Sequence, residues 1–308
     1  MALKWRKRVI LAKIETTYGT DAVPTGAANA IQVSNLSITP LEVDSINRDL
    51  VGKGLGGEVA AIVGKRVKVE YDVEMAGAGA AGTAPAWGPV MRGCAMAETI
   101  TAGVDVQYDP VDANEESVTQ YFHVGSNKHP LLGARGSWGY RLNAKGYPYL
   151  HFTFIGLFAP PSDAVFPTPV FGAFVKPVHV GNANTTFSLH GYAAKLAQLS
   201  YDHKNEVVHR DLVGVEDVQV VDRTPDGSVT IEAPAIIDKD FFADVTAETL
   251  AAMQVVQGTT AGNIVQIDHP QVQLVNPQYG ETDSFTTLQM GLNVIPNVGN
   301  DETKITVK

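Results

Sequence analysis

The sequence predicts a mainly β protein built as two tandem copies of one domain, each carrying one helix. Three observations lead there. Short runs of Val, Ile, Thr, Tyr and Phe, cut by Gly, Pro, Asn and Asp, dominate the chain from Ile31 onward and read as strands. The residues Arg48-Asp49-Leu50-Val51-Gly52 recur as Arg210-Asp211-Leu212-Val213-Gly214, 162 positions later in a chain of 308. The features around the two pentapeptides also follow one order, and an internal repeat outranks local propensity in deciding a fold.

Residues 1–30 read as an N-terminal arm, because from Lys13 to Ile31 turn formers and small residues show no sustained period. The first domain, 31–160, opens with an extended apolar stretch at Leu36 to Ile38, then the pentapeptide as a turn, then the segment Val67 to Met75. There the odd positions are apolar and the even ones, Lys68, Glu70, Asp72 and Glu74, are charged. A period of two gives the strand one dry face and one wet, acidic face. Ala76 to Ala84, with Gly77, Gly79 and Gly82 among alanines, reads as a mobile loop. A helix is predicted over Pro85 to Glu98: Thr83 can cap it, Pro85 suits the first turn, and Trp87, Val90, Met91 and Cys94 fall at spacings of three and four. Gly88, Pro89 and Gly93 weaken it. His129-Pro130 follows, and Phe152 to Phe158 closes the domain as a strand with an internal glycine.

A proline-rich stretch at 161–180 reads as a stiff linker. The second domain, 181–308, repeats the order with shorter loops: Leu196 to Tyr201, the second pentapeptide, and the strand Val229 to Ala233 containing Glu232. A helix is expected over Ala247 to Gln257, with Thr246 as N-cap, Glu248 in the first turn and Gly258 as its stop. His269-Pro270 and a strand over Leu288 to Ile295 complete the copy.

Composition limits the function. A formal charge of −10 argues against a surface that grips nucleic acid, since phosphate binding needs clustered Lys and Arg, but not against one that lets it pass. Cys94 is the single cysteine, so no intrachain disulfide can form, which points to a reducing compartment. The basic start at Lys4 to Arg8 leads into only a short apolar run ended by Lys13 and Glu15, too short for a secretory h-region. No run approaches the apolar length of a membrane span, and no membrane insertion is expected.

No catalytic, metal or cofactor set emerges, and no cofactor and no enzyme activity are expected. Gly52 to Gly57 matches Gly-x-Gly-x-x-Gly, but a β-alternating segment follows where a helix is required, so a flexible loop is the reading. His203 and His209, the best metal candidates, match no standard ligand spacing. Ser137 lacks the context of a nucleophile elbow. Glu115-Glu116 reads as solvated loop charge, and Cys94 as core.

At Gly133-Ala134-Arg135-Gly136-Ser137-Trp138, at Gly146 to Phe158, and at Val9 to Asp21, the chain resembles the major tail tube proteins of long-tailed, siphovirus-type bacteriophages. The likeness is clear over residues 5–158 and reaches the second half through the internal repeat. It implies two tail-tube-like β-sandwich or partly closed barrel domains, each with one flanking α-helix. It also implies a structural virion protein, assembled in the host cytoplasm, whose rings stack into the tail and conduct DNA at ejection.

The common form in that family has one domain per chain and six chains per ring. Two domains per chain make a trimeric ring with pseudo-sixfold symmetry the expectation, with a hexameric ring as the alternative. The implied partners are further copies of the chain, a tape-measure protein, tail terminator and baseplate proteins, and double-stranded DNA that passes without specific binding. The arm and the loop at Ala76 to Ala84 are the expected contacts between stacked rings. Glu70, Asp72, Glu74 and Glu232 are the lumen candidates, an outer solubilising face being the other reading, because alternation separates two faces without naming them. Arg48, Asp49, Gly52 and Arg210, Asp211, Gly214 mark the repeated turn. The alternatives are a trimeric baseplate hub or distal tail protein with fused tube domains, or a glycan-binding or hydrolytic β-protein.

Overall fold

The computed structural model describes residues 3–48, 50 and 56–308. The chain is mainly β and antiparallel, of β-sandwich type. Its first part carries β1 (Arg8–Ile14), β2 (Ala30–Ile31), β3 (Ser34–Ile46), β4 (Ala61–Glu74), β5 (Met96–Thr101), β6 (Asp105–Pro110), β7 (Val118–Val124), β8 (Asn127–Asn143) and β9 (Tyr149–Phe158). After β10 (Ser162–Asp163) come β11 (Thr185–Leu189), β12 (Leu196–Asp202), β13 (Asn205–Leu212), β14 (Val215–Arg223), β15 (Asp226–Glu232), β16 (Leu250–Gln257), β17 (Val265–Thr282), β18 (Phe285–Val294) and β19 (Lys304–Val307). Among the described residues three short helices accompany them: α1 (Gly26–Asn29), α2 (Gly88–Arg92) and α3 (Phe241–Thr246).

The two halves share one pairing order. In the first, β3 pairs β4, β4 pairs β9, β9 pairs β8, β8 pairs β7 and β7 pairs β1. In the second, β12 pairs β15, β15 pairs β18, β18 pairs β17, β17 pairs β16 and β16 pairs β11. The six strands of each set also occur in the same chain order, with a helix between the third and fourth. The β5–β6 hairpin has no counterpart among the described residues; it reaches the second half through β19, which pairs both β6 and β17.

The alternation predicted in β4 holds for Val67, Val69, Tyr71 and Val73, all buried. They pack on β9, with the Tyr71 and Phe154 rings 6.1 Å apart. In β15, Val229 and Ile231 are buried against Leu288, Met290 and Leu292 of β18. Each such side chain contributes about 1.5–3 kcal/mol by leaving water, so Phe154→Ala is the kind of single change that costs about 3–5 kcal/mol.

The helix expected over Ala247 to Gln257 is instead the strand β16. Met253, Val255 and Gln257 are buried at a period of two, with Val255 opposite Phe187 on one side and Ile267 on the other. The helix, α3, ends at Thr246, the residue expected to begin it, and is capped by Asp240, whose carboxylate accepts from the Ala243 N–H at 2.9 Å. Gly258 (φ +95°) turns the chain out of the strand, beside Asn263 O, where a Cβ would sit only 2.1 Å away. The window Pro85 to Glu98 is helical only over α2. Ala95 adopts φ +57° and the chain then enters β5, although Trp87, Val90, Met91 and Cys94 are all buried as expected.

The N-terminal stretch is not an unpacked arm. Val9, Ile10, Leu11 and Ala12 of β1 are buried, and β1 runs antiparallel to β7 along its full length. The glycines of Ala76 to Ala84 likewise permit close packing: Gly77 N–H donates to Asn263 Oδ1 at 2.8 Å, and a Cβ there would meet Gly262 O at 2.2 Å. Within 161–180, Phe166 and Phe171 pack on Val9, Leu11, Ala30 and Tyr121, so this stretch straps the first half. The two His-Pro pairs are not equivalent. His129 lies opposite Phe122 in the β7–β8 ladder, whereas its structural counterpart in β17, two positions from the Leu131/Leu274 match, is Val272 and not His269.

Candidate functional site: the polar face of the central sheet

One sheet runs through both halves in the order β3-β4-β9-β8-β12-β15-β18-β17. β8 makes the join. Its first part pairs β7 as far as Ala134, and its last part, Gly139 to Asn143, pairs Asp202 to Gln198 of β12. Residues directly opposite in antiparallel strands share a face, so the registers trace one surface across the sheet. On it lie Lys68, Glu70 and Asp72 of β4, His151 and Thr153 of β9, and Ser137, Gly139 and Arg141 of β8. It continues through Ser200 and Asp202 of β12, Asp226, Ser228, Thr230 and Glu232 of β15, and Gln289 and Asn293 of β18. The opposite face is the apolar core.

Bases stand among the acids of this surface. Asp72 is 9% exposed and accepts from Asn35 Nδ2 at 2.7 Å, while His151 places Nδ1 2.6 Å from Asp72 and Nε2 3.4 Å from Glu70. Glu232 is 2.5 Å from Lys195 Nζ, and Lys204 pairs Asp226. Along the β3–β4 ladder, Glu42 lies 2.8 Å from both Lys68 and Arg66, and these hydrogen bonds hold its carboxyl below the ordinary glutamate range. The four predicted acids thus share one polar surface whose charge is interleaved. His151, Lys195 and Lys204 escaped the sequence reading because His151 comes from β9 and the two lysines from the loops at either end of β12; the alternation His151-Phe152-Thr153-Phe154 was the signal that could have found the first.

Beneath the β8–β12 join the other face is aromatic. Tyr140 and Tyr201 stack with centroids 5.1 Å apart, Trp138 lies 5.3 Å from the His203 ring, and His269 lies 4.6 Å from Tyr201. The Tyr140 hydroxyl is 2.9 Å from His269 Nε2, and the Tyr201 hydroxyl is 2.7 Å from His203 Nδ1 and 2.6 Å from Thr303 Oγ1. Burial pushes His203 down to about 3 and His269 down to about 4, so both are neutral at pH 7. His203 is therefore a packed core histidine. His209 lies on β13, 3.2 Å from Glu216. Among the described residues no group of three His, Cys, Asp or Glu gathers as a metal site.

The second pentapeptide caps a hairpin. Arg210 and Asp211, expected in the turn, lie within β13, which ends at Leu212, and Gly214 (φ +97°) takes the turn into β14. Arg210 clamps Asp217 at 2.8 and 2.6 Å, while Arg135 of β8 reaches the hairpin through Val218 O at 2.9 Å and Gln219 Oε1 at 2.6 Å. Of the first pentapeptide, Arg48 is exposed, and Asp49, Val51 and Gly52 lie outside the described residues, as do the glycine-loop positions up to Leu55. Ser137 lies within β8 and its hydroxyl accepts from the Asn205 N–H at 3.0 Å. Glu116 is not merely solvated: it takes both Arg92 Nε and Nη2, at 2.6 and 2.5 Å, and Glu115 lies 3.6 Å from Arg135.

Residues 5–301 match the family model described as phage tail tube protein. No curated protein matches the chain.

Proposed function

Since the chain belongs to the phage tail tube protein family, we propose that it polymerises as stacked rings that form the tail tube and conduct DNA at ejection. The two halves act as two copies of one tube unit, so that three chains supply the six units of a ring. The observation that carries this reading is the β8–β12 join, which runs one sheet with one polar face through both halves. A surface of this kind suits a conduit. Its acids repel a duplex bearing about one charge per 1.7 Å of axis, and Lys68, Lys195 and Lys204 are already engaged by neighbouring carboxylates, so phosphates find few cations to grip beside the exposed Arg141.

In this reading the face bearing Glu70, Asp72, Glu74 and Glu232 lines the lumen. Tape-measure, tail terminator and baseplate proteins are the further partners, and assembly takes place in the host cytoplasm. The strap at 161–180 and the packed loop at Ala76 to Ala84 replace the arm as candidates for contacts between rings. Negative-stain electron microscopy of the purified protein at rising concentration, with native mass spectrometry of any rings, tests the proposal. Hollow rings of three chains are expected. Rings of six chains would overturn the trimer, and an absence of rings and tubes at every concentration would overturn the tube assignment.

A further inference from the structure

The β6–β7 loop of the first half meets the end of β14 and the β18–β19 loop of the second half around a cavity of about 350 Å3, within the range of about 300–1,000 Å3 that small-molecule sites occupy. Its walls divide by chemistry. Val111, Val220, Val221, Pro225 and Pro296 supply apolar lining, while Asp112, Glu115, Asp222 and Glu302 set four carboxylates against the base Arg223. Glu115 is answered by Arg135 at 3.6 Å. Asp112 and Asp222 are exposed at the rim and join no ion pair among the described residues.

Glu302 is the side chain that these walls leave unsatisfied. It is 2% exposed, and neither carboxylate oxygen accepts a hydrogen bond among the described residues. Arg223 stands beside it as an ion pair through Nε, but donates from Nη1 to Val111 O at 3.0 Å and from Nη2 to Asn300 Oδ1. A buried carboxylate without donors is costly, and a donor that carries positive charge relieves it best. The backbone behind Glu302 is fixed. Its carbonyl accepts from His269 Nδ1 at 3.2 Å, and the Thr303 hydroxyl lies 2.6 Å from that of Tyr201. The loop before it is fixed too, because the Asp301 carboxylate accepts from the N–H groups of Asn297 at 2.9 Å and Gly299 at 3.2 Å.

We propose that this cavity binds a primary alkylammonium group, with the ammonium on Glu302 and the aliphatic stem along Val220, Val221 and Pro225. An ammonium brings three donors on one atom, and its charge enters where the acids outnumber Arg223. The stem uses the apolar wall, which a bare ion would not. A metal ion fits less well, since no group of three His, Cys, Asp or Glu gathers as a metal site among the described residues. Both a free aliphatic diamine and a lysine side chain carry this chemistry. None of the lining residues belongs to the polar face, so the site does not depend on the ring assignment.

Isothermal titration calorimetry of the intact protein with butylammonium chloride, 1,5-diaminopentane and Nα-acetyl-lysine amide tests the proposal. Butylammonium should bind at one site per chain, and more tightly than ammonium chloride, which lacks the stem. Glu302→Gln should weaken binding about ten-fold or more. Asp222→Asn keeps an acceptor for the Arg223 N–H and should weaken it about two- to five-fold; this exposed position keeps the test open should Glu302→Gln fail to fold. Lysine amide binding as tightly as butylammonium would identify a protein side chain as the occupant, and tighter binding of the diamine alone would identify a free polyamine. Either result supports the site. An absence of saturable binding by all three amines would overturn it, as would ammonium binding as tightly as butylammonium, or affinities unchanged in every variant that folds.

Discussion

Gly133 and Asn276, 143 positions apart, hold the same left-handed backbone at the same bulge, with φ of +55° and +50°. In each case two residues of the long strand oppose one of its partner: Gly133-Ala134 opposite Gly156, and Asn276-Pro277 opposite Met290. A bulge whose first residue is left-handed bends and twists its strand, which lets β8 leave β7 and take up β12, and lets β17 diverge from β16. Glycine and asparagine are the residues that tolerate this conformation. Gly133→Val should therefore cost about 2–3 kcal/mol, since it adds left-handed strain to a Cβ contact 2.7 Å from the Tyr18 ring. Asn276→Gly should cost little, since glycine populates this conformation freely, and Asn276→Val should lose about 1–2 kcal/mol. Urea midpoints of the three variants check the ranking; an innocuous Gly133→Val would remove the bulge argument.

Glu15 binds the N-terminal strand to the core. Its carboxylate, 7% exposed, accepts from Gly19 N at 2.8 Å, Ser117 Oγ at 2.6 Å, Thr119 Oγ1 at 2.7 Å and Gly133 N at 2.8 Å. Glu15→Ala leaves these donors without an acceptor in a site water reaches poorly, at a cost of about 3 kcal/mol or more. That corresponds to a melting temperature lower by roughly 6–12 °C. Glu15→Gln, which keeps an acceptor oxygen, should lose less. Equal melting temperatures for wild type and Glu15→Ala would show that β1 holds without this carboxylate.

How much of this was legible in the sequence depends on how local the signal is. β4, β9, β15 and β18 could be read because one face of each is buried and the other is wet, so the alternation is written in consecutive residues such as Val67-Lys68-Val69-Glu70. β1 could not: Val9 to Ala12 is buried on both faces and shows a continuous apolar run with no period. β16 could not either, because Ala251-Ala252-Met253 suits a helix by propensity, and the pairing with β11 and β17 that overrides it involves residues far away in sequence. The polar face was half legible. Its acids on β4 showed themselves, whereas the bases that answer them and the β8–β12 join depend on registers that no local window contains.

The two buried histidines under the join make stability depend on pH. His203 and His269 have folded values of about 3 and about 4, both depressed chiefly by burial, against about 6.5 in an unfolded chain. Between those limits the unfolded chain binds more protons than the folded one, so stability rises with pH there. The contribution is fully present above about pH 6.5 and is lost as pH falls towards 4, at up to about 1.4 kcal/mol per pH unit for each histidine. Chemical denaturation between pH 5 and 7, where carboxylates change little, should show the slope in wild type, and His269→Gln should reduce it. A slope unchanged by that substitution would mean that His269 is not held neutral.

The last prediction concerns the polar face itself, where Glu70, Glu74 and Glu232 can be reversed without unfolding the chain but Asp72 cannot. The Glu70 and Glu232 side chains are 57% and 43% exposed, whereas that of Asp72 is 12% exposed and bonded to Asn35 and His151. Asp72→Lys would bury a cation beside His151 and should destabilise the fold by about 3 kcal/mol or more. The triple change Glu70→Lys, Glu74→Lys and Glu232→Lys should leave folding and ring assembly intact. If the face lines the conduit, each ring then presents cations to a passing duplex, and neutralising phosphates becomes favourable because counterions are released. Particles built with the variant should eject DNA more slowly, with the delay shrinking as salt is raised, since that attraction is salt-dependent. Ejection at the wild-type rate from intact tails would place these acids on the outside of the tube, where their work is to keep the assembled surface in solution.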